Sequence, residues 1–222
     1  MKGLIFFGVA VLGASAQAFV VDDFMTGSYN SGAISSGTVD SWVNASSALG
    51  TIRYQSLSVT ANPLLGDAKC RVITTPGVLD VSSDADVDIN YTLGYGFANT
   101  SAVPASSPLN FDMTSNFLVN MNVRTNDLLL PVTVTLYTNG GANSFTRSLN
   151  VAAGINSASP VTYQFDFSSD AASLGDVDGI KFYFDPTAGG DFSLNNIQTV
   201  PEPMSIAVLS VGALALLRRR KK

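Results

Sequence analysis

The chain predicts an all-β fold, an antiparallel β-sandwich of the jelly-roll-like kind, and three observations carry that expectation. Apolar and polar residues alternate over short runs, the period of a strand with one buried face. Clusters of Gly, Asn, Asp and Pro punctuate the runs at turn spacing. Apart from the two ends, no stretch repeats its apolar residues at helical spacing. One-sided alternation requires a partner for every buried face, and two antiparallel sheets packed face to face supply it.

In chain order, strands are expected at residues 20–24, 52–60, 70–74, 78–82 and 86–93. The run "NFLVNMNV" follows, with Phe117, Val119, Met121 and Val123 on one face. In "VTVTLY", Val132, Val134 and Leu136 alternate with Thr133, Thr135 and Tyr137. "VTYQFDF" and "IKFYFD" repeat the pattern with Val161, Tyr163, Phe165 and Phe167, and with Ile180, Phe182 and Phe184. With "GGDFSLNNIQTV" closing the body, nine or ten strands are expected. Asp84, Asp86 and Asp88 have the spacing of a calcium loop, but its sixth and twelfth positions would be Ile89 and Tyr95. An EF-hand needs Gly and Glu there. Alternation explains the carboxylates better, with Ala85, Val87, Ile89, Tyr91 and Leu93 expected to face inward.

Composition narrows the chemistry. There is no His, so His-based nucleophile systems and His-ligated zinc are excluded. The lone Cys70 can form no intramolecular disulfide and alternates with Val72, the setting of a small buried apolar residue. Between residues 19 and 199, sixteen Asp oppose six Lys and Arg. An acidic body repels nucleic acid and anionic lipid, so neither is expected as a partner. Glu202 is the only Glu, so a glycan hydrolase would need paired Asp, a remote alternative.

The two ends read as addresses. Residues 1–18 have a positive start, an apolar stretch and Ala16 and Ala18 in A-x-A spacing, the plan of a signal peptide cut before Phe19 by signal peptidase. Residues 204–217 are apolar and uncharged. As a helix they would span roughly 21 Å against a hydrocarbon core of ~30 Å. Arg218, Arg219, Arg220, Lys221 and Lys222 follow and would stop transfer on the cytoplasmic side. A short, charge-stopped transmembrane helix is expected, preceded by Pro201, Glu202 and Pro203.

Val200-Pro201-Glu202-Pro203, the apolar run and the terminal basic cluster resemble a PEP-CTERM sorting domain, over residues 200–222. The resemblance implies a bacterium that makes extracellular polysaccharide, processing by exosortase with Pro201, Glu202 and Pro203 as the recognised motif, and delivery from the inner membrane to the cell surface or extracellular matrix. "FVVDDF" and "GGDFSLNNIQTV" at the two ends of the body, residues 19–199, are similar to the first and last strands of jelly-roll, carbohydrate-binding-module-like ectodomains. That similarity implies a structural calcium candidate at Asp22, Asp23 and Asn195. Sugar-binding surfaces use aromatic platforms, for which Trp42, Tyr137 and Tyr183 are the candidates. Asn44, Asn90 and Asn99 fit glycosylation acceptors, which a bacterial sorting signal sets aside. The expected role is a non-enzymatic, structural or adhesive surface protein associated with exopolysaccharide. The alternative is a calcium-stabilised carbohydrate-binding module.

Overall fold

The computed structural model describes residues 18–97 and 109–201. The strands are β1 Phe19–Asp22, β2 Tyr29–Asn30, β3 Gly37–Asn44, β4 Ile52–Ala61, β5 Ala68–Ile73, β6 Val78–Ser83 and β7 Asp88–Tyr95. They continue with β8 Leu118–Asn126, β9 Leu130–Thr138, β10 Asn143–Val151, β11 Ile155–Asp166, β12 Val177–Phe184 and β13 Phe192–Val200. The helical content of these residues is one 3-10 turn, Ser168–Ser173. Among the described residues no helix is long and apolar enough to cross a membrane. Ala16 and the rest of the expected signal peptide up to Gln17 lie outside the described residues. So do Asn99, Glu202, Pro203, the expected helix and the basic residues Arg218, Arg219, Arg220, Lys221 and Lys222.

The strands make an antiparallel, jelly-roll-like sandwich. One sheet has seven strands in the order β11-β8-β13-β6-β5-β2, with β1 also paired to β13. The other has six, in the order β10-β9-β12-β7-β4-β3. The alternation read from the sequence is what fills the space between them. Val119, Met121 and Val123 of β8, Ile89, Tyr91 and Leu93 of β7, and Ile180, Phe182 and Phe184 of β12 are fully buried. The Phe184 and Phe192 rings stack across the two sheets with centroids 4.9 Å apart. Burying side chains of this size contributes about 1.5–3 kcal/mol each before entropy is counted.

β1 ends sooner than its apolar residues suggest. The Asp22 carboxylate accepts the backbone N–H of Phe24 at 2.8 Å, and Phe24 has a left-handed φ of 57°. This turn takes the chain out of the ladder. β7 begins at Asp88 rather than Asp86, because Asp86 has φ 63° and Val87 N–H closes a turn on Asp84 carbonyl. β2, β3 and β10 were not anticipated. β2 has two residues, β3 is a sheet edge with no fully buried position, and Arg147 interrupts the apolar side of β10. An edge strand buries too little to impose a strict alternation.

Phe19 of β1 pairs with Thr199 of β13, and Val200 pairs with Leu118. Both described ends of the sandwich therefore leave from the same pole.

Candidate functional site

The outward side of the six-stranded sheet collects what the sequence scatters. In its strands the residues opposite the core-facing set are mostly polar or aromatic, with Ile52, Gly94 and Pro131 among the exceptions. Ladder pairing sets them in rows: Trp42 opposite Tyr54, Tyr54 opposite Gly94, Gly94 opposite Lys181, and Lys181 opposite Thr135. The next row runs Asp40, Ser56, Thr92, Tyr183 and Thr133.

Gly94 is the gap in the first row, and Phe97 fills it. Gly96, at φ +84°, reverses the chain after β7. The Phe97 ring then lies over Gly94, so that a Cβ there would sit 2.8 Å from the ring. The result is a continuous aromatic lane. Trp42 and Tyr54 have centroids 5.0 Å apart, Tyr54 and Phe97 stack at 5.7 Å, and Phe97 meets Tyr137 edge-on at 6.1 Å. Lys181 Nζ stands 5.4 Å from the Tyr137 centroid, within cation–π range. From β3 to β9 the lane crosses four strand spacings, roughly 19 Å. Tyr54 and Phe97 are buried in its floor, while Trp42 and Tyr137 are half-buried at its two ends. The indole Nε1 of Trp42 is shielded from solvent and has no hydrogen-bond partner.

Tyr183 stands apart from this lane, half-buried in the polar row. With the Asn90 amide oriented to satisfy both its ends, its nitrogen donates to Asp185 at 2.8 Å and its oxygen accepts from the Tyr183 hydroxyl at 2.9 Å. Burial, then Asp185 and Asp88, raise the Tyr183 phenol above its ordinary pKa. Hydroxyl pairs complete the surface: Thr38 with Ser58 at 2.9 Å, Thr133 with Ser148 at 2.8 Å, and Thr135 with Thr146 at 3.1 Å. Of the three platform residues expected from sequence, Trp42 and Tyr137 thus join one lane and Tyr183 flanks it. Tyr54 and Phe97 were missed. Tyr54 was read as one more strand residue, and Phe97 lies beyond β7, where alternation carries no information.

On the outer side of the seven-stranded sheet the polar groups also bond one another, Gln164 to Asn120 at 2.9 Å, Thr162 to Asn122 at 2.6 Å, and Asn122 to Asn196. The aromatic lane lies on the six-stranded sheet.

Asp22, one of the three calcium candidates read from sequence, lies in the core. It is fully buried and accepts from Arg53 Nε at 2.6 Å, Arg53 Nη2 at 2.8 Å and the Tyr95 hydroxyl at 3.0 Å, besides Phe24 N–H. Arg53, also fully buried, donates as well from Nη1 to Gly27 carbonyl at 2.9 Å and from Nη2 to Thr26 carbonyl at 3.1 Å. A cation at Asp22 would have to displace Arg53. Asp23 accepts Met25 N–H at 2.9 Å in a local turn, and Asn195 Oδ1 is buried without a partner. Among the described residues no group of three or more His, Cys, Asp or Glu could hold a metal ion.

Cys70 is fully buried, with its thiol donating to Gln55 Oε1 at 3.7 Å. Burial pushes the thiol pKa up to about 12, so it stays protonated and unreactive. A pocket of about 330 Å³ at the pole opposite the chain ends is lined by Asp67, Asp84, Asp191 and Lys69. Its carboxylates hold loops together: Asp84 accepts Asp67 N–H at 2.8 Å and Asp191 accepts Ser83 N–H at 2.9 Å. Burial raises the Asp191 pKa, with Asp127 adding to the effect.

No family model matches this chain, and no curated protein matches it. Among solved structures it is similar to the family 11 carbohydrate-binding module of the cellulosomal cellulase Lic26A-Cel5E of Clostridium thermocellum. That match has 13% identity and a TM-score of 0.40 over 85% of this chain and 96% of that one. A DUF4465 family protein from Bacteroides caccae matches at 10% identity and TM-score 0.33 over 89% of this chain and 98% of that one. PfGH50B matches at 14% identity and TM-score 0.39 over 57% of this chain, which spans only 20% of that protein. The likeness is one of sheet architecture and goes no further.

Proposed function

We propose that this chain is an exported, non-enzymatic surface or matrix protein that works by adhesion, and that its adhesive surface is the outer side of the six-stranded sheet, acting on polysaccharide. The observation that carries the reading is the lane from Trp42 to Tyr137 beside rows of hydroxyl, amide and carboxylate groups. Sugars present apolar ring faces and a rim of hydroxyls. Ring faces suit aromatic side chains, and hydroxyls suit short polar groups on a rigid sheet. Placement on strands rather than loops keeps the groups in fixed register.

Affinity electrophoresis in gels containing soluble polysaccharides tests the adhesive half. The wild type is expected to be retarded by at least one polymer. Trp42→Ala and Tyr183→Ala should each weaken retention about tenfold, the effect of ~1.4 kcal/mol. Unretarded wild-type protein across the panel would remove the carbohydrate reading.

Export and sorting rest on the terminal segments. The described sandwich contributes one supporting fact, that β1 and β13 bring Phe19 and Thr199 together at one pole. Signal peptidase and exosortase would then meet their sites on the same side of the folded body. Deleting residues 200–222 is expected to abolish surface localisation of a tagged chain, followed by fractionation. Unchanged surface display would refute the sorting role.

A further inference from the structure

We infer that the outer side of the six-stranded sheet takes an uncharged glycan chain and rejects polymers that carry carboxylates, a selectivity that rests on the carbohydrate reading above. The ionisable groups of this surface are unbalanced. Asp40 and Asp185 are exposed and Asp88 is half-buried, one on each of three strand lines that point outward. Lys181 is the cation that the ladder sets among them, and its ammonium is held over the Tyr137 ring at 5.4 Å. The guanidinium of Arg53, on β4 beneath, points into the core and is neutralised by Asp22. Among the described residues of this surface, none therefore forms the fork that binds a carboxylate in two-point fashion.

The hydrogen-bonding inventory leads the same way. Asp40 accepts from the Tyr54 hydroxyl at 3.2 Å through one oxygen, and Asp185 accepts from Asn90 at 2.8 Å through one oxygen. An ionised carboxylate has about four lone-pair sites, so each keeps capacity to accept. In each surface hydroxyl pair one O–H is spent on the other oxygen and one remains, so the hydroxyls keep both donor and acceptor capacity. The acceptors in excess are the carboxylate oxygens of Asp40 and Asp185. A neutral sugar chain answers with hydroxyl donors, and hydroxyl-to-carboxylate bonds are charge-assisted. A uronate chain brings further carboxylates against Asp40, Asp88 and Asp185.

Matched polymer pairs isolate the charge: methyl-esterified polygalacturonate against polygalacturonate, and β-1,4-mannan against β-1,4-polymannuronate. Affinity is measured at low salt and again at 1 M NaCl, where the Debye length falls to about 3 Å. Wild-type protein is expected to bind the neutral member of at least one pair about tenfold or more tightly than its uronate partner at low salt. The gap should narrow at high salt. The triple variant Asp40→Asn, Asp88→Asn and Asp185→Asn should bind both members alike, with a melting curve confirming that it folds. Equal binding of both members by the wild type overturns the selectivity and leaves the carbohydrate reading standing. A wild-type gap that persists in the triple variant also overturns it. Retention of no polymer at all removes both.

Discussion

Asp22→Ala is expected to destabilise the sandwich by about 3–5 kcal/mol, the cost of stranding a buried charge. Arg53 has no solvent exposure, and in the variant its guanidinium would face a cavity where Asp22 now accepts two of its N–H groups. Phe24 N–H and the Tyr95 hydroxyl would lose the same acceptor. Against a typical domain stability of about 5–15 kcal/mol, such a loss is severe. Urea denaturation followed by tryptophan fluorescence reads it directly. The deficit should be the same in 1 M NaCl, because buried charges are little screened. The double variant Asp22→Leu with Arg53→Met should recover most of it, since apolar residues of similar volume replace a buried pair at little net cost. A shift under 1 kcal/mol in Asp22→Ala would mean that the ion pair holds nothing together.

Gly96→Ala is expected to cost about 3 kcal/mol or more, through strain and collision together. Gly96 has φ +84°, and an added Cβ would lie 2.1 Å from the backbone oxygen of Asp178. Backbone in β12 cannot retreat as a side-chain tip can. The same residue turns the chain so that Phe97 returns over Gly94, so the variant should also break the aromatic lane. Thermal melting gives the stability change, and near-ultraviolet circular dichroism reports the loss of ring packing around Trp42. Gly154→Ala separates the two causes. It has φ +77° but nothing within 4 Å of the added atom, so it should cost only about 1–2 kcal/mol. Equal effects at the two glycines would show that collision with Asp178 is unimportant.

The core was legible because burial writes itself into alternation. Tyr91 and Leu93 on β7, and Phe182 and Phe184 on β12, could be placed inside from spacing alone, and the structure buries them all. Two edge strands, β3 and β10, were not legible, whereas β11, also an edge, was read from the alternation of Val161, Tyr163 and Phe165. β3 and β10 each pair on one side only, so little in their sequences distinguishes them from loops. Tyr137 could be picked as a surface aromatic from its polar-side position, and Trp42 as an aromatic outside any expected strand. Their membership of one lane could not, because it depends on the register of β3, β4, β7, β12 and β9 and on a reversal at Gly96.

The fate of Asp22 makes the same distinction. Next to Asp23 it reads as one of two exposed acidic residues or as a metal ligand, since local sequence carries no sign of a partner 31 residues away. Sequence alone determined the class of fold, the alternating apolar residues of the core strands, the absence of His chemistry, and two terminal segments with the pattern of export and sorting signals. Each of these follows from local composition or from a period of two along the chain. Only the tertiary structure decided that Asp22 is spent on Arg53, and that Phe97 bridges Tyr54 and Tyr137. It alone set Asp40, Asp88 and Asp185 on one surface. Those outcomes depend on strand order and register, which arise from how whole sheets pack and not from any one strand.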